Sequence, residues 1–201
     1  MTNVLRNTTV YVTKALALSS FGILLTPIAI AATSLAEFNA APEANATFEA
    51  VGKPSLLKIK GHGAKVTGQL LLSEGDARGK FEVDLNQFDT GIELRNRHMK
   101  EKYLETEKFP KTTLEIDHVD LPKDWKPGAD ISSAKFQGKL TLKGTTKPVE
   151  GTVKISGTNM AAEADFVIDI SQFPIGVPSY MGVTVASSVN VHVAIPAFVR
   201  K

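Results

Sequence analysis

The chain contains no cysteine. Disulfides, zinc–thiolate sites, iron–sulfur clusters, a thiol nucleophile and a cysteine-linked lipid are therefore excluded. It also lacks a His-Glu-x-x-His pair, a glycine-rich phosphate loop, a dinucleotide fingerprint and a Gly-x-Ser-x-Gly elbow, so no familiar hydrolytic, phosphoryl-transfer or redox motif is available. Aromatic residues make up only 7%, with a single tryptophan. Neither sign of charge dominates: 23 Lys and Arg face 21 Asp and Glu, without the basic stripe that nucleic-acid binding needs. What remains is 201 residues at 43% hydrophobic and 22% charged, an ordinary globular composition fitting one domain, or one plus a processed segment.

The processed segment is legible. Arg6 and Lys14 precede an uncharged stretch from Ala15 to Ala36, with apolar runs at Ala15–Leu18, Phe21–Leu25 and Ile28–Ala31. A basic start, an apolar middle and small residues at the end form the secretory signal pattern, here residues 1–36. Cleavage is expected after Ala31 or, preferably, after Ala36, leaving 37–201 as the mature domain. The rival reading is a membrane anchor, since about 20 uncharged residues nearly span a bilayer; Ser19, Ser20, Thr26, Pro27, Thr33 and Ser34 interrupt it. Removing Arg6 and Lys14 brings the cations level with the anions, so the mature protein is formally neutral.

Beyond the polar stretch Glu37–Asn45, two-residue alternation prevails. It runs through Val66–Leu72, Phe81–Leu85, Leu114–His118, Phe136–Leu142, Val149–Ile155, Phe166–Ile170 and Val183–Ile195, each reading as a half-buried strand. Glu74-Gly75-Asp76, Lys143-Gly144-Thr145 and Ser156-Gly157-Thr158-Asn159 supply hairpin turns. About eight antiparallel strands, each with one apolar face, stack as a sandwich or close into a barrel, and only closure removes both edges.

The alternation breaks at Thr90–Pro110. Thr90-Gly91-Ile92-Glu93 has the form of a capping box. Ile92, Asn96, Met99 and Tyr103 follow at helical spacing, and Phe109-Pro110 ends the run. A short helix is expected there, with Met99 and Tyr103 on its inner face. Its charges read either as an anion site (Arg95, Arg97, His98) or as a solvated face laced by Arg97, Glu101 and Glu105. Parity places His118 inside, as a hydrogen-bonded histidine, and His192 outside. An aromatic and methionine set of Met99, Tyr103, Phe173, Tyr180 and Met181 reads as packing sooner than as a pocket.

The run Asp89-Thr90-Gly91-Ile92-Glu93-Leu94-Arg95-Asn96-Arg97-His98-Met99-Lys100-Glu101-Lys102-Tyr103-Leu104, with Lys108-Phe109-Pro110-Lys111, closely resembles the signature of YceI-like proteins. Leu140–Val149 and the tail Phe173–Pro178 with Tyr180–Val183 add two further ordered motifs, and the resemblance covers roughly Phe48 to Phe198. Asn96 stands where family members commonly have aspartate, and Lys58–Gly63 matches their first-strand pattern loosely. The resemblance implies an all-β fold: an extended antiparallel eight-stranded lipocalin-like β-barrel with one short helix between strands. It also implies export to the periplasm and binding of a polyprenyl phosphate or isoprenoid quinone. A barrel of about eight strands is just wide enough for filling side chains or one slender ligand. The leading reading is thus a non-enzymatic isoprenoid binder or carrier. A filled-barrel structural or protein-interaction module is the alternative, and an enzyme acting on isoprenoids a distant third. The candidate ligand-binding residues are Arg95, His98, Met99, Tyr103, Ile116, Leu140, Phe166, Phe173 and Tyr180, with no catalytic set, metal or cofactor. The expected partners are an isoprenoid lipid and at most a second copy of the chain, with no nucleic acid and no stable membrane insertion after processing.

Overall fold

The computed structural model describes residues 36–53, 57–73, 75–180 and 183–201. The proposed signal segment up to residue 35 with the cleavage site after Ala31, Glu74, Met181, and the side chain of Tyr180 lie outside the described residues.

Eleven strands are present among the described residues: β1 (Ala36–Ala40), β2 (Asn45–Lys53), β3 (Lys58–Ser73), β4 (Asp76–Asp84), β5 (Lys111–Val119), β6 (Ile131–Leu142), β7 (Thr145–Ser156), β8 (Ala161–Asp169), β9 (Ser179–Tyr180), β10 (Val183–Ile195) and β11 (Phe198–Arg200). Eight of them close a ring in the order β3-β2-β10-β8-β7-β6-β5-β4, and β4 pairs back to β3. Every pair is antiparallel. β1 continues the position of β2 alongside β3, and β11 pairs with β1. The short strands therefore lengthen the barrel at one end.

The pairing of β4 with β3 closes the ring, and the alternation gives it an apolar inner face. In β6 and β7 burial changes at nearly every residue, and the inward set, including Val66, Phe136, Leu140 and Phe166, forms one core cluster. Strands β1 and β2 were not legible as strands. Their inward positions are largely alanines (Ala46, Ala50), which carry little β-propensity, and only pairing with β3 and β10 orders them. The β6–β7 hairpin turns on Lys143 and Gly144, both at positive φ (48° and 73°), as a two-residue turn demands. A lysine holds the first position because its side chain is fixed: Nζ lies 2.6 Å from Glu105 Oε1 and donates to the Tyr103 carbonyl at 3.0 Å.

His118 corrects the parity reading. The register shifts between Ile116 and His118, and such a bulge reverses the facing of every residue after it. His118 is exposed, with Nδ1 3.1 Å from Asp76 and Nε2 3.1 Å from Asp120. Two N–H donors exist only on the protonated ring. The hydrogen bond to Asp76 leads in raising the His118 pKa above its ordinary value. Desolvation opposes the change at Asp76, yet hydrogen bonds from His118 and Arg78 leave its carboxyl below the usual range. A raised histidine stabilises the fold fully below about pH 6.5 and loses that contribution as pH rises through the folded value. The melting-temperature gap between wild type and His118→Gln should accordingly be widest near pH 6 and shrink towards pH 8. His192 lies on the outer face beside Asp165 at 2.8 Å, as parity indicates.

Candidate functional site

The barrel encloses a cavity of about 640 Å³ that runs from the helix end to the β5–β6 connection. Its wall is almost wholly aliphatic and aromatic, drawn from all eight ring strands. Two of the polar wall groups deep in the barrel are bonded within the protein. Thr112 Oγ1 donates to the Thr141 carbonyl at 2.8 Å and Trp125 Nε1 to the Ala129 carbonyl at 3.0 Å, and no buried side-chain polar atom among the described residues lacks a partner. A cavity walled almost wholly by apolar side chains holds hydrocarbon better than water.

The two ends differ. At the helix end, wall residues Leu57, Ile92 and Leu94 are 42%, 52% and 46% exposed, so the apolar surface there continues to the outside. At the other end, Leu72, Val119, Ile195 and Phe198 are buried. The exposed apolar wall thus marks a mouth beside the helical segment.

That segment comprises α1 (Glu93–Arg97), running into a π-helical turn, His98–Leu104. The capping box does not form: Ile92 is the N-cap residue and makes no side-chain cap. Thr90 is instead buried as the hub of a different network. Its amide and hydroxyl donate to Asn96 Oδ1 at 2.8 and 2.6 Å, Arg95 Nε donates to its hydroxyl at 3.0 Å, and a terminal guanidinium nitrogen of Arg95 donates to its carbonyl. Asn96 Nδ2 donates to Asp89 Oδ1 at 2.7 Å. This bond and that from the Gly91 amide hold the Asp89 carboxyl below its ordinary pKa. The amide of Asn96 thus both accepts and donates, which an ionised aspartate cannot do. At the far end Glu105, in the left-handed region at φ 50°, pairs with Lys143 and Lys108; these hydrogen bonds lower its pKa. The expected Arg97–Glu101–Glu105 ladder is not formed, because Glu105 turns to the β6–β7 hairpin, and the π-helical turn changes the side-chain spacing. Thr90→Val keeps the shape and removes both hydroxyl bonds. It should cost about 1–3 kcal/mol, read as a lower melting temperature.

A YceI-like domain model matches residues 37–197, most of the chain. The chain belongs to the YceI-like family. No curated protein matches it. Solved structures with this fold include a polyisoprenoid binding domain from Saccharophagus degradans implicated in plant cell wall breakdown, at 15% identity and TM-score 0.62, covering 84% of this chain and 100% of that one. BcnA of Burkholderia cenocepacia aligns at 19% identity and TM-score 0.59, over 75% and 94%. A YceI protein of Campylobacter jejuni aligns at 13% identity and TM-score 0.50, over 73% and 86%.

Within this YceI-like barrel, Arg95, His98, Met99 and Tyr103 stand at the mouth, and Ile116, Leu140 and Phe166 line the lumen. Phe173 does not line the cavity. It follows a tight turn at Ile170–Gln172, donates its amide to the Ile170 carbonyl at 3.1 Å and is buried in the core, while its neighbours Ile170 and Ile175 reach the wall. Arg95 spends Nε and one terminal nitrogen on Thr90, so it braces the mouth first and keeps N–H groups to spare. Sequence reading missed Leu57, Leu94, Leu121 and Trp125. The signal for Trp125 was present: the one tryptophan of the chain sits between Pro122 and Pro127-Gly128, where a loop would otherwise be polar. Among the described residues no group of His, Asp and Glu is placed to hold a metal ion, and no helix is long and apolar enough to cross a membrane.

Proposed function

We propose that this protein is a periplasmic binding or carrier protein for one isoprenoid lipid, a polyprenyl phosphate or an isoprenoid quinone. The tail lies in the barrel and the head group stays at the mouth near Arg95 and His98. The observation that carries this reading is the apolar cavity of about 640 Å³, which falls within the range of small-molecule sites. Burying each methylene-sized unit contributes about 0.8 kcal/mol, so a long tail binds with few polar contacts. The polyisoprenoid binding of the domain from Saccharophagus degradans supports the same ligand class. The basic, apolar and small-residue order of residues 1–36 supports export, cleavage and a mature domain of 37–201. A binder rather than an enzyme is favoured because, among the described residues, His98, Tyr103 and Ser179 of the wall are not hydrogen-bonded to one another or to a carboxylate. A filled structural barrel is disfavoured by the cavity itself. One chain supplies the whole wall, so a second copy is not needed to complete it.

The test is native mass spectrometry of the full chain expressed in a Gram-negative host and recovered from the periplasm, followed by solvent extraction. The expected result is a processed chain carrying one prenyl lipid. A stripped, folded protein that rebinds neither prenyl phosphate nor quinone would overturn the reading, and a full-length species confined to membranes would overturn export with cleavage.

A further inference from the structure

We propose that Trp125 is the end wall of the cavity and sets the length of tail that it accepts. This rests on reading the cavity as an isoprenoid site. The exposed wall residues cluster at the helix end, whereas the opposite end is capped by the β5–β6 connection, from which Leu121 and Trp125 reach the wall. The connection is held by its own backbone. The Leu121 amide donates to the Val119 carbonyl at 2.8 Å, Trp125 to Pro122 at 3.0 Å, and Ala129 to Lys126 at 3.0 Å. The indole N–H is taken by the Ala129 carbonyl, so the ring meets hydrocarbon without leaving a donor unpaired. Phe198, which closes the same end, stacks edge-on against Phe81 at 6.2 Å. The wall is therefore a built surface rather than a gap that a ligand must close.

Its position defines a length. β10 contributes wall residues from Val185 to Ile195, roughly 33 Å of strand at about 3.3 Å per residue and, at a tilt of about 40°, roughly 25 Å along the axis. An extended chain advances about 1.2 Å per bond, as a three-bond peptide unit of about 3.5 Å does. About twenty chain atoms, or about five isoprene units, then bring the end of a tail to Trp125. Shorter tails leave the far end empty, and longer ones must project from the mouth.

The test is binding of all-trans prenyl alcohols and their monophosphates, from geranyl to decaprenyl, to the full protein. Affinity should rise about tenfold or more with each unit up to about five and then level off. Because Trp125 is the chain's one tryptophan, its emission should stay unchanged with geranyl ligands and shift to the blue once tails reach the end wall. In Trp125→Ala, read by calorimetry, the plateau should move out by about one unit. Leu121→Ala should move it less and keeps the reporter. If Trp125→Ala does not fold, Leu121→Ala and the wild-type emission decide. Binding with an unmoved plateau in the folded variants, or emission indifferent to tail length, would overturn the end wall and leave the isoprenoid reading standing. Failure of every prenyl ligand to bind the wild type would overturn both.

Discussion

Ala164→Phe should give a folded barrel that no longer carries lipid. Ala164 lies on β8 between its ladder partners Val153 and Val193 and faces the lumen. In a close-packed core the added ring would cost about 1–3 kcal/mol in strain. Here it enters a cavity of about 640 Å³ and gains burial at about 25 cal/mol for each Å² removed from water. The melting temperature should hold or rise, while prenyl-lipid affinity falls at least about a hundredfold, since several methylene-sized contacts at about 0.8 kcal/mol each are displaced. Thermal unfolding and native mass spectrometry on one preparation check both halves. Full lipid occupancy in a folded Ala164→Phe protein would place the ligand outside the barrel. A charge at Ile116 or Leu140 tests the same idea less cleanly, because an unpaired carboxylate in an apolar lumen costs several kcal/mol and the fold itself is at risk.

The second large effect is expected at Gly138, and it is purely structural. Gly138 shares parity with Phe136 and Leu140 on β6, so alternation alone makes it an opening for a larger side chain to fill the lumen. The geometry denies that. A Cβ on Gly138 would come 2.2 Å from the Glu115 carbonyl oxygen and 3.2 Å from the Ile116 Cα of β5. These are backbone atoms of a paired strand and cannot step aside. Even Gly138→Ala should therefore destabilise by about 3 kcal/mol or more, a drop of about 10 °C for a chain of this size. Gly138→Leu should fail to fold rather than report on the ligand. A Gly138→Ala melting temperature within about 2 °C of wild type would mean that β5 and β6 are not packed so closely.

The sequence by itself determined the strands with alternating large side chains, the turns at Lys143-Gly144 and Gly157, the helical insertion and the family, because each rests on spacing between near neighbours in the chain. The signature run at residues 89–104 offered Arg95, His98, Met99 and Tyr103 as ligand contacts, and the fold sets all four on the cavity wall. Facts set by contacts between distant residues were decided only by the tertiary structure. The bulge after Ile116 moved His118 outside, because register is a property of two strands. Thr90 became the hub of a network with Arg95 and Asn96 rather than a helix cap, because the N-cap position falls two residues later, at Ile92. Glu105 left its helical neighbours for Lys143, about forty residues on, which no local spacing announces. The hollow lumen is the largest of these decisions. Inward valine, leucine, isoleucine and phenylalanine look the same in a filled barrel and an empty one. Which it is depends on the diameter set by eight strands and on how far each side chain reaches across it.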